Sequence, residues 1–356
     1  MLRQTEQLIH LLHSQPRLSA AILQAYCQMI STYGDREDAA ALFKLFLEQP
    51  EDYRHVMLLD PVMRCGDLAL AQEIDHHCFE QNKLKREMPS DILHVLGYMG
   101  YEKYVDYMVD CIEMNDWDLS KDACLALMHL PLGPRHEDRL RAEFEKVYGE
   151  PLFPEFLPAL SFKFSGPELV PRLLAWGERA STDCNAGIVL GIAAYGEGHS
   201  ETLKQLLWNP GWELYAIGTG SHWWAYMGMQ MVKLSFRELI LDIKKDTPLE
   251  QEKRDSEETD MRLVEHKLDV LHDLLDLKLS RALSPLRFVQ GVQEDLTQLY
   301  TLMFEWSTVH RDDSLLGRIG RYFGSDHPLA NKYLQLNKRM EEGIFRELER
   351  DLLQMS

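Results

Sequence analysis

Five of the seven tryptophans fall between positions 176 and 224, and recognition or chemistry would first be sought there. Trp208, Trp212, Tyr215, Trp223, Trp224 and Tyr226 lie within 19 positions, joined by Met227, Met229 and Met231, with Trp176 upstream. Trp and Met concentrate at binding hot spots and adaptable surfaces. The same residues also fill a core where two structural regions meet, so groove and core both remain open readings. Adjacent Trp223 and Trp224 point about 100° apart on a helix, and both are buried only if that helix is enclosed on two sides. His222, beside them, is the first polar group a ligand in such a groove would meet. The expected partner- or ligand-binding residues are thus Trp176, Trp208, Trp212, Tyr215, His222, Trp223, Trp224 and Tyr226.

Metal chemistry has a thinner basis, although the chain carries 14 histidines. Glu73 and His76 form one ExxH, a spacing that puts both on one helical face, and His77 and Cys78 follow. Asp269, His272 and Asp276 form a second acid-histidine face. A carboxylate-bridged di-iron site needs two ExxH elements and two further inward carboxylates. Only one ExxH is clear, and a solvated helix face accounts for both groups. No metal or cofactor is expected; Glu73, His76, His77, Asp269 and His272 would be first in line if one bound. His10 and His13 read as surface residues.

Motifs for other chemistry are missing. There is no GxxxxGKS loop, no GxGxxG after a strand and no GxSxG nucleophile elbow. The segment Gly218-Thr219-Gly220-Ser221-His222 lacks the lysine and the strand of a phosphate loop and reads as a turn before a helix. No catalytic residue is assigned.

The elements that must position these residues announce themselves through glycine. Gly34, Gly66, Gly100, Gly133, Gly166 and Gly198 are 32, 34, 33, 33 and 32 residues apart. Before each lies an apolar helical run, such as Ile22 to Tyr33, Ile92 to Met99 and Phe156 to Phe164. After each comes a polar or proline helix start, such as Asp35-Arg36-Glu37-Asp38 or Pro134-Arg135-His136-Glu137. A second amphipathic run follows, as in Tyr104-Val105-Met108-Val109-Ile112. Glycine is expected to take the left-handed conformation that ends the first helix of each pair. One such hairpin cannot bury its apolar face alone, whereas stacked neighbours can.

The stretch Ile92-Leu93-His94-Val95-Leu96-Gly97-Tyr98-Met99-Gly100, followed by Asp122-Ala123-Cys124-Leu125-Ala126-Leu127, resembles the HEAT-like repeats in their short form. In that family a leucine-glycine step and an alanine-leucine pair pack adjacent hairpins. The resemblance covers about residues 18 to 245 and implies an all-α fold, an α-solenoid of about six or seven two-helix HEAT-like repeats with a helical C-terminal region. Ankyrin and tetratricopeptide signatures do not recur. HEAT-like deoxyhypusine hydroxylases bind iron through repeated His-Glu dipeptides, and this chain has a single one, His136-Glu137. HEAT-like alkylpurine DNA glycosylases need a basic concave face. No motif singles out the phycobilin lyases.

Residues 246–260 read as an acidic linker or loop after a solenoid at 1–245, and 261–356 as a helical cap or bundle. There Val264, Leu268, Leu271 and Leu275 line one face of an expected helix from Met261 to Leu279. The formal net charge is −19, from 57 acidic and 38 basic residues. Such a surface repels nucleic acid and anionic membranes and suits a basic protein partner. Six cysteines without a CxxC pair, an N-terminus without an apolar signal segment, and no apolar run near 20 residues lead to an expected cytoplasmic location. The expected function is a non-catalytic protein-binding scaffold or inhibitor with an acidic solenoid surface, including an immunity-type protein against a basic toxin. The alternative is a small-molecule- or metal-dependent protein with a pocket in the Trp-rich segment 208–231.

Overall fold

A computed structural model of the chain describes residues 1–14, 18, 20–114, 116–209, 221–235, 238–239 and 241–243, and positions 263, 266, 267, 269–271 and 274. Among them the chain is mostly helical: α1 (Arg3–Ser14), α2 (Ala20–Tyr33), α3 (Arg36–Glu48), α4 (Tyr53–Val56), α5 (Leu59–Cys65), α6 (Leu68–Cys78), α7 (Asp91–Tyr98), α8 (Val105–Glu113), α9 (Trp117–His129), α10 (Pro134–Val147), α11 (Ser161–Phe164), α12 (Val170–Gly177), α13 (Asn185–Ala193), α14 (Ser200–Leu207) and α15 (Ser221–Val232). A hairpin, β1 (Phe79–Glu80) with β2 (Lys83–Leu84), follows α6; its turn residues Gln81 and Asn82 take φ of 49° and 61°. Sequence patterning gave no sign of it, since strands of two residues show no alternation.

Each glycine of the series lies in a turn between two helices: α2 and α3, α5 and α6, α7 and α8, α9 and α10, α11 and α12, α13 and α14. The reason for glycine differs from the expected one. Only Gly100 of the six is left-handed, with φ of 76°. At Gly34 and Gly66 the constraint is space: a Cβ would sit 2.6 Å from the carbonyl oxygen of Ile30 or of Val62. The helix starts follow the acids as expected. Asp35 caps α3, accepting from the Glu37 and Asp38 amides while Asp38 accepts from the Asp35 amide, and Asp67 and Asp116 cap α6 and α9. The expected run from Phe156 to Phe164 is a 3₁₀ turn, Leu157–Leu160, and the single turn of α11.

The chain separates into two compact units, Met1–Gly191 and Ile192–Ser356. The expected boundary at 245 lies outside the described residues. Residues 246–260, Val264, Leu268 and Leu275 lie outside the described residues, while Leu271 is buried.

In the first unit, the first helices of successive pairs touch in chain order: α2 with α5, α5 with α7, α7 with α9, and α9 with the Leu157–Leu160 turn. The α7 and α9 helices approach backbone to backbone. A Cβ on Gly97 would lie 2.4 Å from Ala126 Cα, so the Leu96-Gly97 step packs on the Ala126-Leu127 pair. The interior holds Phe43, Phe46, Phe144, Phe156 and Trp176 with leucines and isoleucines between them. Second helices are tied by ion pairs, running from Arg36 to Asp67, Asp75 to Lys103, Asp110 and Glu113 to Arg139, and Glu145 to Arg172. In the second unit, Leu203, Leu206, Leu207, Ala225, Met229 and Val232 of α14 and α15 are buried.

Candidate functional site on the face of the first helices

The ion pairs divide the charged residues of the first unit into two populations. On the second helices acids and bases occupy one another: Arg139 bonds Glu113 at 2.6 and 2.8 Å and Asp110 at 2.7 Å, and Arg172 bonds both Glu145 oxygens. The first helices carry a different set. Asp60 and Arg64 on α5, Asp91, His94 and Tyr98 on α7, and Asp118, Lys121, Asp122 and His129 on α9 are spaced so that each helix presents them on one side. Glu155, Phe162 and Lys163 extend the series around the next turn and α11.

One end of this face is acidic. Asp122 is 7% exposed and accepts a 2.5 Å hydrogen bond from Ser90 Oγ. Burial, reinforced by the Asp91 charge, pushes its carboxyl up to about 7. Glu155 is 6% exposed; burial pushes it up to about 7 against the opposing pull of Lys121, whose Nζ lies 4.0 Å away. Asp91 is raised by the same desolvation, although it is open to solvent. Among the described residues Asp91, Asp118 and Asp122 form no ion pair, and Lys121 is the one cation acting on this group.

The other end is cationic and aromatic. His94 and His129 stack at 5.8 Å between centroids, and Tyr98 meets His129 edge-on at 5.0 Å. The Arg64 guanidinium lies 5.9 Å from the Tyr98 ring centre. Lys163 Nζ donates to the Leu130 carbonyl at 2.8 Å, closing the end of α9. Burial pushes His94 down to about 3, helped by His129 and Arg64, and desolvation lowers His129, helped by Lys163 and Arg64, although His129 is open to solvent. Both imidazoles are therefore neutral at pH 7.

The residues expected to bind a partner are placed otherwise. Trp176 is 1% exposed, donates from Nε1 to the Glu150 carbonyl at 2.8 Å and packs on Phe144, Tyr148 and Phe153. It is a core residue with no surface to offer. Trp208 is also buried, with Nε1 3.3 Å from Asp242 Oδ2 and the Lys267 ammonium over its ring. Trp223, Trp224 and Tyr226 are half-buried on α15, where Trp223 and Tyr226 rings are 6.1 Å apart. His222 lies on the same helix; Trp212 and Tyr215 lie outside the described residues. Glu73, His76 and His77 are exposed on α6, with the two imidazoles edge to face at 5.3 Å between centroids. Asp269 is half-buried in a helical segment, and His272 lies outside the described residues. Among the described residues no three His, Cys, Asp or Glu side chains are grouped to hold a metal ion, and no helix is long and apolar enough to cross a membrane.

Sequence reading missed the polar face because it followed apolar residues through the repeat. The signal was present: Asp91, Asp122 and Glu155 are 31 and 33 residues apart, and Tyr98, His129 and Phe162 repeat the same intervals. No family model, curated protein or solved structure matches the chain.

Proposed function

We propose that this chain is a protein-binding scaffold, a HEAT-like solenoid that docks a basic partner along the face of its first helices. The carrying observation is the unequal use of charge. Asp75, Asp110, Glu113 and Glu145 on the second helices are each paired with a base of the neighbouring hairpin, whereas Lys121 is the one cation acting on Asp91, Asp122 and Glu155 among the described residues. A partner lysine or arginine placed there would favour the ionised forms of Asp122 and Glu155, so docking releases protons near neutral pH. The chain-order contacts of α2, α5, α7 and α9 support the solenoid, and the net charge of −19 supports a basic partner. Masking a basic toxin is the most specific form of this reading. Six free cysteines suit a reducing compartment such as the cytoplasm.

The test is native mass spectrometry of the protein drawn gently from its own cells, followed by binding of the retained basic protein to variants. Charge removal at Asp91 and Asp118 should weaken binding and flatten its salt dependence. Equal charge removal at Glu37 and Glu137, on the second helices, should leave it unchanged. Salt-insensitive binding, or equal loss from both pairs, would refute this assignment.

A further inference from the structure

The cationic end of the face has groups that neither the fold nor a basic partner uses. Arg64 comes from α5, His94 and Tyr98 from α7, His129 from α9 and Lys163 from α11, so the first helices of four successive pairs converge on one spot. Lys163 makes no ion pair among the described residues; its bond to the Leu130 carbonyl fixes the ammonium without neutralising it. Arg64 reaches Asp60 with Nε at 3.2 Å, which leaves its terminal nitrogens for another acceptor. The polar atoms of His94, His129 and Tyr98 have no hydrogen-bond partner among the described residues, and Tyr98 is 40% exposed. Each neutral imidazole has one N–H to donate, and the phenol has its O–H. Helix C-terminal carbonyls account for one cation here, Lys163, and leave the rest of the convergence unexplained. No carboxylate acts on either imidazole, in a chain with 57 acids.

We infer that Arg64, His94, Tyr98, His129 and Lys163 form a binding site for an oxyanion, a phosphate or carboxylate group, held by two cations and three neutral donors. Guanidinium and ammonium supply the charge, and charge-assisted bonds to them are the strong ones. The imidazoles and phenol fix orientation, and the flat His94–His129 pair walls one side. The site stands apart from the acidic end and is independent of whether a basic protein docks there.

Ring-proton NMR of the full chain, titrated with inorganic phosphate at constant ionic strength, tests the site. His94 and His129 resonances should shift saturably at neutral pH. The His129 titration midpoint should rise, because a bound anion favours the imidazolium. His76 and His77, on α6, should not move. Lys163→Gln and Arg64→Gln should each weaken the response at least several-fold, and Arg64→Gln leaves the α9 cap intact. Acetate saturating where phosphate does not would identify the bound group as a carboxylate. Uniform shifts across all histidines, no shift with either anion, or an unchanged response in both variants would overturn the site.

Discussion

Replacing Gly97 with alanine asks whether α7 and α9 are held as closely as their backbones imply. The added Cβ would lie 2.4 Å from Ala126 Cα, 2.5 Å from its Cβ and 2.6 Å from its carbonyl oxygen. Carbon contacts are comfortable at about 3.5–4.0 Å, so the helices must part by roughly 1 Å. A gap of that size forfeits a quarter to a half of the local dispersion energy, and overpacking in well-packed cores costs about 1–3 kcal/mol. Against this, alanine gains about 1 kcal/mol over glycine inside a helix. The two effects have opposite signs, and the contact decides. Two of the three neighbours are backbone atoms, which puts the overpacking cost near the upper end, so we expect a net loss of about 1–2 kcal/mol, read as a melting temperature lower by roughly 2–8 °C in circular dichroism. An unchanged or raised melting temperature would refute the close packing of successive first helices. Gly97→Ser should behave alike, since its Cβ meets the same three atoms.

Two further outcomes follow from burial. Asp122 and Glu155 bind their protons more tightly when folded, so stability should fall as pH rises from about 4 to about 7 and then level off. Asp122→Asn should stabilise by an amount that is small near pH 4 and on the order of 2–4 kcal/mol above pH 7, measured by urea melts, and a pH-independent difference would contradict the shift. Trp176→Ala should cost about 3–5 kcal/mol as a core deletion, whereas Trp224→Ala on half-buried α15 should cost markedly less; equal losses in thermal melts would undo that distinction.

Helix pairs were legible in the sequence because turns need local chemistry. Gly34 and Gly66 marked their junctions, and Asp35 and Asp67 next to them capped the helices that followed. The reason for glycine was misread: the carbonyl four residues back, of Ile30 or Val62, leaves no room for a Cβ. Trp176 was misplaced because its cage, Phe144, Tyr148 and Phe153, comes from the preceding hairpin and the loop after it, which no window around Trp176 contains. The acidic and cationic ends of the face were hidden in the same way. His94 and His129 look unrelated at a distance of 35 residues, yet they stack because α7 and α9 lie side by side. The partial burial of His94, which keeps it neutral, belongs to the packed hairpins and to no single segment.

The ion pairs of the second helices also have a direction. From Asp75 to Lys103, from Asp110 and Glu113 to Arg139, and from Glu145 to Arg172, the acid stands on the earlier hairpin and the base on the later one. The first joint, Arg36 to Asp67, runs the other way, but the three that follow share one polarity, like identical couplings along a train. One of these later hairpins, copied or excised whole, would carry one half of each joint and meet the matching half on its new neighbour. That stretch of the chain can therefore be lengthened or shortened by whole hairpins without new bonds between them.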